Sequence, residues 1–307
     1  MAKFKIKDGI WQVLSEGLKL YFTNFLKFTQ YMLFPVFGQV IGILLIFGLT
    51  GWFVESLPVL AEERAIFNNF TTISVVLIFA ALPGFAIFLK AFWDFLVAYG
   101  ALNSMTEAVI TTGRLYDFKA HNEVVTRHCA KYLGLLLVIS VLSIIAINPL
   151  FWVLGLIFFI YFILVFQVFT FEPDCSIFGC FKRSFYLIKG NFGRTFLIMF
   201  VLVIISHYVL NAGLSALFDI TKLSEFFKGI LENWASTLPL ADINSSLAYF
   251  KLPSITALDI AKEVLSSSIL FVIAGLTLPM RSICWSLWYK NLACVKDENN
   301  SKKKSGK

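Results

Sequence analysis

YLGLLLVISVLSIIAINPLFWVLGLIFFIYFILVFQVFTF, residues 132–171, carries not one charged side chain. Asn148-Pro149 interrupts it, and a proline inside a helix costs a backbone hydrogen bond. The stretches Tyr132–Ile147 and Phe151–Phe171 therefore read as two apolar helices closed into a tight hairpin. A hydrocarbon core takes roughly 20 residues per helix, so the first of the two is short. Strands are excluded, because lipid offers no partner to an open sheet edge.

The same pattern recurs outward from this hairpin, with further spans near Phe28–Val54, Thr71–Trp93 (or from 71 on to 112 with a bend), Thr195–Leu217 and Leu265–Ser286. Hydrophobic residues make up 58% of the chain and charged residues 15%, against about 25% charged in soluble domains. With a mean hydropathy of +0.79, this much apolar surface does not fit into one water-excluded core. The expected class is an all-α polytopic membrane protein: six transmembrane helices in three hairpins, with amphipathic interfacial lead-in helices.

Charge sets the expected orientation. Residues 1–27 are net +3, 105–132 net +1, 172–194 net +2, and the tail from Arg281 net +5. The two remaining loops, 55–70 and 218–265, are each net −2. In a six-span chain every basic segment falls on one side. The positive-inside rule then places both termini in the cytoplasm. Lys3, Lys5 and Lys7 precede no short apolar run with a small-residue cleavage site, so the first span is expected to act as an uncleaved anchor. The five cysteines, at 129, 175, 180, 284 and 294, map to the cytoplasmic side or its interface and are expected to be reduced.

The chain further reads as a single membrane domain over 1–295 built of repeat-like units, 1–104, 105–171 and 172–295, followed by a basic disordered tail, 296–307. Each unit opens on an amphipathic helix. Trp11, Leu14, Leu18, Tyr21, Phe22 and Phe25 share one helical face. Phe181, Phe185, Leu187 and Ile188 stand beside Lys182, Arg183 and Lys189 in the third unit, and Asn24-Phe25 aligns with Asn191-Phe192. HNEVVTRHCAKYLGLLL is the looser middle copy. In the 218–265 loop, Phe226, Phe227, Ile230, Leu231 and Trp234 predict a surface helix that ends at Leu238-Pro239. Pro253-Ser254 then starts a new helix, with Ser254 as its N-cap, running straight into the sixth span.

The segment FEPDCSIFGCFKRSFYLIKGNFGRTFLIMF (171–200) is the most distinctive. Glu172, Cys180, Ser184, Leu187, Gly190, Phe192 and Arg194 resemble the signature of a large bacterial family of six-helix membrane domains. That family is the glycerophosphoryl diester phosphodiesterase membrane domain with its stand-alone inner-membrane relatives. AYGAL with Gly113 (98–113) resembles the family's second-span exit, and LPMRSICWSLWYKNL (278–292) its closing span. This chain departs where Tyr289 is followed by Lys290 and Asn291. The resemblance implies a bacterial inner-membrane location and a shared six-helix plan. It does not carry over phosphodiesterase activity, because no soluble stretch is long enough for that catalytic domain.

The residues themselves supply two groups of candidates. Arg183, Lys189 and Arg194 are placed to face lipid headgroups or to snorkel, around a Gly190 that permits a left-handed turn. Lys90 with Asp94, and His207 with Asn211, are i, i+4 pairs within or beside spans; ionisable groups at membrane depth mark functional sites. Pro83-Gly84 predicts a kink upstream of the first pair. Gln39 and Gln167 are candidates for the same polar interior. His121 and His128 fall in an exposed lead-in with no acid and serine arranged for nucleophilic catalysis. No catalytic residue, metal site or cofactor is indicated, and nucleic-acid binding has no support beyond charge that topology explains. The expected function is non-catalytic: a lipid-contacting or membrane-organising accessory protein. A small-solute transporter or channel with a polar site inside the bundle is the alternative. Membrane lipids are the expected partners, with a homo-oligomer or membrane-protein partner left open.

Overall fold

The computed structural model describes residues 9–115, 117–147, 149–249 and 251–305. Among these residues every regular element is helical. The order is α1 (Ile10–Thr23), α2 (Phe25–Glu63), α3 (Phe70–Thr112), α4 (Phe118–Thr126), α5 (Cys129–Ile147), α6 (Trp152–Phe162) and α7 (Val165–Phe171). It continues with α8 (Ile177–Ile188), α9 (Phe192–Val203), α10 (Leu210–Ile220), α11 (Leu223–Ser236), α12 (Leu240–Tyr249), α13 (Ala257–Leu276) and α14 (Leu278–Ser305). Asn148 of the expected middle turn lies outside the described residues.

Five stretches are long and apolar enough to cross a bilayer: α2, α3, α5, Trp152–Phe171 and Phe192–Ile220. A sixth forms if α13 and α14 together count as one span. The chain is a multi-pass membrane protein. The apolar pattern ends the first span at Val54, whereas α2 runs on to Glu63; of the two ends open for the second span, Trp93 and 112, α3 takes the longer and stops at Thr112. At 1.5 Å per residue, α3 is about 64 Å long, twice the roughly 30 Å of hydrocarbon. It stays helical through Pro83 and stops at Gly113, whose φ of +72° a glycine adopts without strain.

Contacts divide the chain into two compact units. They cut across the consecutive repeat-like order. The first comprises Met1–Met32, Phe95–Ile204 and Thr277–Lys307. Here α1 lies on α14, burying Val13, Leu14, Gly17 and Tyr21. A Cβ on Gly17 would come within 2.4 Å of Cys284 Sγ, so the glycine sets how closely the helices pack. The lead-in face predicted to rest on lipid is therefore split: Leu14 and Tyr21 pack on protein, while Trp11 and Phe22 stay exposed. The AYGAL segment of α3 is core, with Ala98, Ala101 and Leu102 fully buried and Gly100 against Val125 and Tyr132. In the α5–α6 hairpin Gly155 sits directly against Ala146. The tail expected to be disordered continues α14 to Ser305, anchored where Asp297 and Lys296 bond to the α8 region; 306–307 lie outside the described residues.

The second unit comprises Leu33–Asp94 and Ile205–Leu276. Its α2 and α3 segments cross through Gly42 and Gly84. A Cβ on Gly42 would lie 2.7 Å from the Phe88 backbone nitrogen, and one on Gly84 2.6 Å from the Gly42 carbonyl oxygen. α11 packs along α13, with Leu231, Leu214 and Phe218 on a core of Leu265, Ile269 and Ile273. α11 ends before Pro239 as its sequence predicts, but α12 was not anticipated. The cap of α13 is Thr256 rather than Ser254. Thr256 Oγ1 accepts from the Asp259 amide at 3.2 Å, and Asp259 Oδ2 accepts from the Thr256 amide at 3.0 Å, a reciprocal capping box.

Candidate functional site

The distinctive 171–194 segment folds into a short surface helix held by a carboxylate clamp. α7 ends at Phe171, and Ser176 caps α8, its Oγ accepting from the Gly179 amide at 3.1 Å. The inner face of α8 (Cys180, Phe181, Ser184, Leu187 and Ile188) is buried. Ser184 Oγ donates to the Tyr161 carbonyl at 2.8 Å. The helix ends at Gly190, whose φ of +88° is the left-handed turn expected there.

Glu172 is the hub. It accepts from Arg183 Nε at 2.8 Å and from the Tyr289 hydroxyl at 2.5 Å, both on Oε1. Arg183 reaches on to Asp297 at 3.2 Å, and Lys296 Nζ donates to the Lys189 carbonyl at 2.9 Å. Burial works to raise the Glu172 pKa, but the hydrogen bonds from Tyr289 and Arg183 and the charge of Arg183 outweigh it. The carboxyl is held below its ordinary range. Burial pushes the Cys180 thiol up to about 11, and burial with the neighbouring Glu172 charge raises Cys175, so both stay protonated at neutral pH.

Of the three bases picked out as headgroup ligands, Arg183 is thus committed to two protein carboxylates, with its side chain 22% exposed. Lys189 and Arg194 differ: both are exposed, as is Lys182, and none of the three forms an ion pair among the described residues. Phe178, at 79% exposed, and Phe185 and Phe196 stand out beside them. The arrangement is a turn of unpaired bases flanked by outward aromatics, fixed to the bundle by the clamp behind it.

The intramembrane candidates do not assemble into one site. Lys90 pairs with Asp94 on an exposed part of α3, and its ammonium lies 6.0 Å from the Phe34 ring centre. His207 sits in a π-helical turn, Ile204–Val209, with Asn211 one turn on. No hydrogen bond or ion pair joins the two pairs among the described residues. Gln39 is occupied locally, donating to the Pro35 carbonyl at 2.7 Å.

The interior polar cluster centres instead on Asn103, which sequence pattern did not single out. Its Oδ1 accepts from Gln167 Nε2 at 3.2 Å, Ser282 Oγ at 2.7 Å and Ser286 Oγ at 3.3 Å. The available signal was a lone asparagine inside an apolar helix, since such groups bond across helices. His121 is another correction. It is buried rather than exposed, and its Nδ1 lies 3.1 Å from Ser104 Oγ, tying α4 to α3. Burial lowers its pKa, against the pull of Asp117. Among the described residues no group of three or more His, Cys, Asp or Glu side chains is placed to hold a metal ion. No family profile, curated protein or solved structure matches the chain.

Proposed function

We propose that this chain is a non-catalytic, lipid-contacting protein of a bacterial inner membrane, with both termini in the cytoplasm, serving as an accessory to membrane organisation. One observation carries the reading. Lys182, Lys189 and Arg194 face outward without a protein carboxylate beside exposed Phe178 and Phe185, while the inward base Arg183 is fully engaged. Cations and aromatic rings side by side suit the headgroup layer, where each base near an anionic surface contributes about 1 kcal/mol. The basic character of all segments on the α8 side of the topology supports the cytoplasmic assignment.

The test is to neutralise Lys182, Lys189 and Arg194 together and measure the anionic phospholipid that co-purifies. A clear drop is expected, with helicity unchanged; an unaltered lipid profile overturns the reading. Neutralising Arg183 should act differently, by loosening the fold. A second reading, a small-solute transporter or channel, rests on the π-helical turn that carries His207. Such turns are frequent at functional sites. Loss of a specific solute flux in cells without the protein would favour it.

A further inference from the structure

The second unit holds a groove of about 720 Å³ between α2, α11 and α13. Aromatic rings stand among its aliphatic walls: Phe47, Trp234 and Phe271, with Phe88 from α3, the Phe47 and Trp234 rings lying edge to face at 5.5 Å. One charged side chain lines it, Glu263, with the buried amide of Gln39 as a further polar group. Ser267 Oγ donates to Glu263 Oε1 at 3.2 Å, which leaves the carboxylate acceptor capacity to spare. The surrounding 218–265 segment is itself net −2.

Apolar volume of this size accepts a drug-sized body. Aromatic faces carry negative quadrupoles that attract organic cations, and a lone carboxylate on an acidic surface adds the same preference. A phospholipid headgroup would bring its phosphate to that carboxylate, and no base lines the groove to receive it. We propose that this groove binds a hydrophobic organic cation lacking a phosphate, its body against Phe47, Phe88, Trp234 and Phe271 and its charge toward Glu263. This site is independent of the basic turn at Gly190.

Equilibrium dialysis of the full chain in neutral detergent tests it, with tetraphenylphosphonium as the probe and tetraphenylborate as its anionic counterpart of similar shape. The cation should bind saturably and about tenfold or more tighter than the borate. Glu263→Gln should erase most of that preference, and Ser268→Trp, which fills the groove, should abolish binding of both. Glu232→Gln, an exposed acid on α11 outside the lining, should leave the preference within about twofold. Circular dichroism confirms that each variant is folded. Equal binding of the two probes overturns the proposal, as does a Glu263→Gln or Ser268→Trp protein that binds like the parent. A Glu232→Gln loss as large as that of Glu263→Gln also overturns it, because the acidic surface and not the groove would then select the cation.

Discussion

Both units bring helices close together at glycines, but the first also ties its helices with a set of polar side-chain bonds. In the first, side chains bond across helices: Asn103 gathers three donors, Glu172 joins Arg183 to Tyr289, and Trp288 Nε1 donates to Thr195 Oγ1 at 3.1 Å. In the second, backbones touch directly at Gly42 and Gly84, and the Phe47 and Trp234 rings meet edge to face. The contrast follows from solvent. Lipid tails give apolar side chains little reason to leave them, so helix association relies on polar bonds or on close approach at small residues. Only 6% of the apolar window of α3 is buried, so that segment has little but its glycine crossing to locate it.

Breaking the close crossing should have the largest effect. Gly42→Leu would drive a side chain into the Phe88 backbone, which cannot give way as a flexible side chain can. A loss of about 3 kcal/mol or more is expected, read as a fall in the unfolding midpoint in detergent. A midpoint within error of the parent would mean that the glycines do not set the packing.

The clamp in the other unit should come next. Glu172→Gln removes a partly buried charge that Arg183 and Tyr289 are built around. A loss of about 2 kcal/mol at neutral pH is expected. Because the Glu172 carboxyl titrates below its ordinary range when folded, its contribution is present in full above that range. It is lost as pH falls through the lowered value. The parent should therefore weaken in acid more steeply than Glu172→Gln. Parallel stability curves from pH 7 to pH 3 would remove this account of the clamp.

Two smaller changes sharpen the comparison. Thr195→Val keeps the shape of the side chain and drops the bond from Trp288 Nε1, and should cost about 1 kcal/mol, visible as a modest midpoint shift. Lys90→Met should cost about 0.5 kcal/mol or less, since its pair with Asp94 leaves the lysine side chain 62% exposed. A large loss from Lys90→Met would reveal a role for the pair that its exposure does not suggest.

Helix positions and the Gly190 turn were legible because they are local. Apolar run length, turn residues and a glycine at a helix end act within a few residues of themselves. Ser254 and Thr256 are both acceptable caps for α13, and of the two only Thr256 has an acid three positions on that reaches back. The sequence leaves the end of α3 open, at Trp93 or at 112, for a different reason. The polar residues after Trp93 look like a span exit, yet Asn103 and Thr106 are buried inside the bundle. A polar residue facing a partner helix and one facing water give the same sequence signal.

By itself the sequence determined that this chain is helical and crosses a membrane several times. In hydrocarbon the backbone must satisfy its own hydrogen bonds, and a long uncharged run such as 132–171 leaves it one way to do so. Only the tertiary structure decided which charges are spoken for. Arg183 meets Glu172 eleven residues away and Asp297 more than a hundred away, while Lys189 and Arg194 remain open to the surroundings. Such pairings depend on how distant helices come together, and no local rule encodes them.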